Sequence, residues 1–155
     1  MRSITLGICI LLSVAFSPHT YAASSSISEQ TRRLDEFGDI TCEDELARLD
    51  YFTNELLSDA DARGYLIVYG GRCGRRNEAQ ARAARMKFYL VRNRGLDAKR
   101  IVTLIGGYRE ELTTEMWVLR RGEPAPVPTP TVDAKEVRLR GRVRVRGYYC
   151  GEGLG

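Results

Sequence analysis

Arginine is the chemistry-bearing residue of this chain, and its placement is uneven. Arg72, Arg75 and Arg76 fall within the short segment GGRCGRRN, and Arg82 and Arg85 follow on NEAQARAARMKF. Guanidinium groups offer rigid planar forks that match carboxylate and phosphate oxygens, so a loop and helix carrying several of them point to anion binding. A second set stands in VRLRGRVRVRG, where Arg138, Arg140, Arg142, Arg144 and Arg146 alternate with small or apolar residues. Period-two alternation puts all five on one face of a strand, with Cα atoms roughly 7 Å apart. The opposite face, with Val143 and Val145, needs a cover, so the segment either docks on its own domain or adds to a partner's sheet. A plainer role is also open, since charges along an edge strand discourage aggregation.

The other reactive residue types narrow the chemistry. The single histidine, His19, lies in an N-terminal stretch that reads as a signal peptide: Arg2, the apolar run Ile4 to Phe16, and the small-residue site Thr20-Tyr21-Ala22. That run is too short to span a bilayer as a mature helix, and no later segment is apolar and long enough to do so. The expectation is cleavage after Ala22 and a soluble protein in an oxidising periplasmic or extracellular space. A mature chain without histidine lacks the usual general base and metal ligand, so an enzyme, a metal site and a cofactor are not expected. Nucleic acid is disfavoured by the compartment. The net charge of +4 is too modest to imply a polyanion partner by itself. Its distribution matters more, with acids gathered in residues 35–61 and bases in residues 72–100 and 138–146.

Three cysteines survive the cut, Cys42, Cys73 and Cys150, and an oxidising compartment favours one disulfide among three pairings. Cys42 lies where a first strand gives way to a helix and Cys73 just past the next strand. In a right-handed βαβ unit those points share an edge of the sheet, so Cys42–Cys73 is the expected pair.

The elements that would position these groups follow from pattern. After a leader at 23–33, residues 34–40 read as a short strand. A helix begins at Thr41, with Asp44 at N3 and Leu46, Leu49, Phe52 and Leu56 at helical spacing. Tyr65 to Tyr69 is a continuously apolar strand, suited to the middle of a sheet. A second helix is capped by Asn77 and stopped by Gly95. Ile101 to Ile105 is a third strand, Gly106-Gly107 turn the chain, and Thr114 to Leu119 is a fourth strand antiparallel to the third. The expected class is α+β, β-α-β-α-β-β, a two-layer sandwich with two helices on a mixed four-stranded sheet over residues 34–121. Residues 122–132 hold four of the five prolines and read as an extended linker; residues 133–155 form the arginine-rich tail.

Leu49-Asp50, the strand YLIVYGG, Arg82-Ala83, Tyr89-Leu90 and the segment Gly95 to Ile101 together resemble the OmpA-like domain of bacterial envelopes, over about residues 34–119. In that family a loop Asp and a helix Arg grip the diaminopimelate of the peptidoglycan stem peptide. The resemblance places Arg82 at the helix position, whereas the loop position, in residues 71–73, holds no carboxylate and is followed by Arg75 and Arg76. The resemblance implies a non-catalytic envelope module that binds peptidoglycan or another anionic component through Arg72, Arg75, Arg76, Arg82 and Arg85. The alternative is a scaffold whose arginine-rich tail engages a partner protein or an anionic lipid surface. For Arg82 and Arg85 a plainer role is at least as well motivated: pairing with Glu78 or with the acidic first helix.

Overall fold

The computed structural model describes residues 33–144. Strand β1 spans Arg33–Phe37, helix α1 Cys42–Ser58, strand β2 Arg63–Gly71, helix α2 Glu78–Phe88, strand β3 Ile101–Arg109 and strand β4 Thr113–Leu119. This is an α+β fold, two helices on a four-stranded mixed sheet. Leu49, Phe52 and Leu56 of α1 and Ala79, Ala83 and Met86 of α2 close over Leu66 and Val68 of β2 in one apolar core.

Local chemistry explains α1. Thr41, in extended conformation, accepts from the Asp44 N–H at 3.2 Å, and Glu43, Asp44 and Glu45 fill the positive first turn. Its other end is held from outside, because Arg100 donates to the carbonyls of Leu56, Asp59 and Ala62. Helix α2 departs from expectation. Asn77 makes no capping bond and sits at φ 64°, a left-handed conformation that asparagine tolerates better than most residues. The Glu78 carboxylate instead accepts from the Arg75 N–H at 2.9 Å. Beyond α2 a π-helical turn, Tyr89–Asn93, runs to Gly95 at φ 71°, and the Leu96 N–H returns to the Leu90 carbonyl.

The sheet order is β1-β4-β2-β3, with β2 parallel to β3 and β4 antiparallel to both β1 and β2. The short β3–β4 connection therefore does not make a hairpin. It steps across the end of β2 and inserts β4 between β1 and β2. Gly71 permits the crossing: a Cβ there would lie 3.1 Å from the Leu112 nitrogen, and the Arg72 N–H bonds the Glu110 carbonyl. Gly106 and Gly107 also differ from the turn expected of them. They lie inside β3 as a bulge opposite Tyr69, where Val68 pairs with Ile105 but Gly70 with Tyr108. A Cβ on Gly106 would stand 2.3 Å from the Tyr69 ring, so this glycine makes room for a buried aromatic.

The proline-rich segment is extended and attached to the body. The Thr129 N–H donates to the Tyr69 hydroxyl at 3.0 Å, and the Thr131 and Val132 N–H groups donate to the Tyr108 carbonyl. Tyr69 in turn donates to Glu115 at 3.3 Å, and Arg109 lies over the Tyr69 ring and pairs with Glu115. After a short helical turn, Ala134–Glu136, the tail reaches the loop that follows β2.

Candidate functional site

The tail docks on the loop. The Arg138 N–H donates to the Arg72 carbonyl at 2.8 Å and Arg140 N–H to Gly74 at 2.9 Å; Arg76 N–H donates to Gly141 at 3.2 Å and Val143 N–H to Arg76 at 2.9 Å. The two segments run parallel, with Arg76 bridged to Arg142. Gly141, at φ 66°, lets the tail bend so that pairing resumes beyond it. The alternation read from the sequence survives as burial. Val143 is buried, Val137 and Leu139 are half-buried, and Arg138, Arg140, Arg142 and Arg144 are exposed. Arg146, the fifth rung, lies outside the described residues.

The loop arginines separate into different roles. Arg75 is held by Glu78 through Nε and Nη2, at 3.0 and 2.7 Å. Arg72 pairs with Glu110 at 2.7 Å and Glu136 at 3.0 Å. The hydrogen bond and charge of Glu110, more than the burial that opposes them, raise the Arg72 pKa above its ordinary value. Arg76 is exposed and has no ion pair among the described residues.

Arg82 and Arg85 are not part of that surface. Arg82, 3% exposed, places Nε 2.9 Å from the Glu45 carboxylate, itself 1% exposed, and Arg85 Nη2 is 2.6 Å from the same group. Arg82 Nη2 is also 3.7 Å from the exposed Asp39, its guanidinium stands 5.7 Å from the Phe37 ring centre, and its buried Nη1 has no hydrogen-bond partner. The arrangement is a two-arginine, one-carboxylate knot joining α2 to α1, with Arg82 and Glu45 buried and Arg85 partly so. It holds the helices together and leaves Arg82 no open face for a ligand.

The plainer role open to Arg82 and Arg85, pairing with the acidic first helix, is the one they take, through Glu45 and in the interior rather than at the surface; Asp39 lies outside that expectation. A signal for Glu45 was present, since it stands four residues before Leu49 on the apolar stripe of α1, as Arg82 stands between Ala79 and Ala83 on that of α2. A charge on each of two facing stripes is a pairing signal. Asp39 carries no such signal, because its approach depends on the β1–α1 turn.

The expected Cys42–Cys73 bridge is not formed. Cys73 is a free, exposed thiol; Cys42 is disulfide-bonded, and no bridge joins two described residues. The reason is the sheet order. With β4 between them, the ends of β1 and β2 are two strand spacings apart, about 10 Å, whereas a disulfide needs Cα atoms within about 7 Å.

Two clefts flank these groups. One, about 120 Å³, lies behind the docked tail between Gly70, Arg75, Asn77, Tyr108 and Leu139. The other, about 210 Å³, is an apolar groove between α1 and α2, lined by Leu46, Leu49, Met86, Phe88 and Tyr89. At the groove's end Tyr89 donates to Asp50 at 2.7 Å, and Arg94 pairs with the same carboxylate. Burial pushes Asp50 up, but the hydrogen bonds from Tyr89 and Arg94 outweigh it and hold the carboxyl below its ordinary value. Burial and the Asp50 hydrogen bond raise the Tyr89 phenol. Among the described residues no group of His, Cys, Asp and Glu could hold a metal ion, and no helix is long and apolar enough to cross a membrane.

The fold and site together define an α+β domain with a basic tail docked beside its β2–α2 loop. Compared with known proteins, the chain matches no family model, and neither a curated protein nor a solved structure shows significant similarity to it.

Proposed function

We propose that this is a non-catalytic, OmpA-like module of a bacterial cell envelope, acting after secretion, that holds peptidoglycan or another anionic envelope component on the paired loop and tail. One observation carries the reading: Arg76, Arg138, Arg140, Arg142 and Arg144 share one docked pair of segments, are exposed, and have no ion pair among the described residues. The order β-α-β-α-β-β, which the family resemblance implies, supports it. The burial of Arg82 against Glu45 moves the binding surface from the helix to the loop and tail. It also makes Arg82 a structural residue.

Recruitment of a partner protein by strand addition fits the geometry less well. The tail already uses its Arg138, Arg140 and Val143 N–H groups on its own domain, and Val143 is buried there.

Retention of the protein on purified sacculi tests the proposal. Arg138, Arg140, Arg142 and Arg144 all changed to Ser should abolish retention with the fold intact by circular dichroism. Equal retention of wild type and variant, or retention of neither, overturns the reading.

A further inference from the structure

The docked arginines carry more information than a positive sign. In extended backbone the side chains on one face recur about every 7 Å, and here two such pairs, Arg138 with Arg140 and Arg142 with Arg144, are exposed on either side of the bend at Gly141. Arg76 lies on the neighbouring segment opposite Arg142. Acids in the neighbourhood do not neutralise them, because Glu78 is taken by Arg75 while Glu110 and Glu136 are taken by Arg72. Like charges so placed repel, and backbone pairing with burial of Val143 holds them together in spite of it. The nearby cleft is lined by Arg75, Arg76, Tyr108 and Leu139, so Arg76 borders both the cleft and the row.

A row of open guanidinium forks suits a long ligand better than a small one. A single small anion would meet one or two forks and leave the others uncompensated. A chain whose anions repeat at intervals comparable to the arginines would meet one fork per anion. Phosphate, like carboxylate, offers each fork a pair of oxygens in the matching plane, and a phosphodiester chain fixes one charge in its backbone at every repeat, where a polycarboxylate carries its charges on flexible side chains. We infer that the tail and loop bind a linear phosphate-bearing polymer, a phosphodiester-linked or phosphorylated glycan, laid along residues 138–144 with Arg76 as a lateral contact. The inference rests on the envelope-binding reading and narrows its ligand from any anionic component to a polymeric phosphate.

Titration of the full chain with four probes tests it: an oligothymidylate as a plain phosphodiester chain, polyglutamate of equal charge, inorganic phosphate, and vesicles containing phosphatidylglycerol. The oligothymidylate should bind, with log K falling linearly with log salt at a slope of about −3, the value for some four contacts to a single strand. Polyglutamate should bind several-fold more weakly and inorganic phosphate not measurably. Changing the four tail arginines to Lys should keep the slope and lower the affinity; changing them to Gln should remove binding. Equal affinity for polyglutamate, or undiminished binding by the Gln variant, overturns the inference. Binding to vesicles without binding to the soluble chain overturns it in favour of a lipid surface. Sacculus retention without oligothymidylate binding sinks this inference and leaves the envelope reading standing, whereas loss of both sinks both.

Discussion

At the scale of the residue, Arg82 shows how position decides the work of a side chain. An exposed arginine binds anions; a buried one must be paired or it destabilises the fold. Arg82 is buried, and Glu45 is its partner at 2.9 Å. Removing one member of such a pair strands the other, so Glu45→Gln should lower stability by about 3–5 kcal/mol, read as a shift of the urea midpoint. A cost under about 1 kcal/mol, the scale of an exposed pair, would mean that the knot is solvated. Asp50 makes a different prediction because it is only partly covered. Its folded pKa lies below the ordinary 3.8, so its stabilising effect is complete above that value and is lost as pH falls through the folded value. Asp50→Asn should therefore flatten the acid limb of a stability–pH curve below about pH 4. Acid limbs of equal slope in both proteins would show that Tyr89 and Arg94 do not hold the carboxylate.

At the scale of the element, the proline-rich segment and tail belong to the body of the fold. The Tyr69 hydroxyl accepts from Thr129, Val132 is buried, and four backbone hydrogen bonds tie the tail to the loop. Ending the chain after Arg121 should therefore cost stability, on the order of 2 kcal/mol or more from lost hydrogen bonds and uncovered apolar surface. An unchanged melting temperature would show that the segment only rests on the sheet. The same elements mark where sequence reading succeeded. Thr41, the Leu49–Phe52–Leu56 stripe and the apolar run of β2 act locally, through capping, helical period and burial, and each is where its pattern placed it. Gly106-Gly107 misled because two glycines serve a turn or a bulge equally well; the ring of Tyr69, far away in sequence, makes them a bulge.

At the scale of the whole molecule, the placing of β4 between β1 and β2 governs the rest. It separates Cys42 from Cys73 and leaves Cys73 a free thiol on the basic loop. A maleimide should therefore label Cys73 in the native protein without denaturant, and Cys73→Ser should change stability by no more than about 0.5 kcal/mol. Failure of native labelling would contradict the exposed thiol.

The amino-acid sequence by itself determined the class of fold, the order of helices and strands, and the alternation of the tail arginines, because helical period, strand period and caps are local properties. It also contained Glu45 and Arg82 as charges on apolar stripes. Only the tertiary structure decided that those two meet, that β4 inserts rather than forming a hairpin, and that the tail pairs with the loop. Each of these joins residues distant in the chain, and their pairing is set by which arrangement buries the most apolar surface while pairing backbone groups and buried charges, a condition on the whole fold.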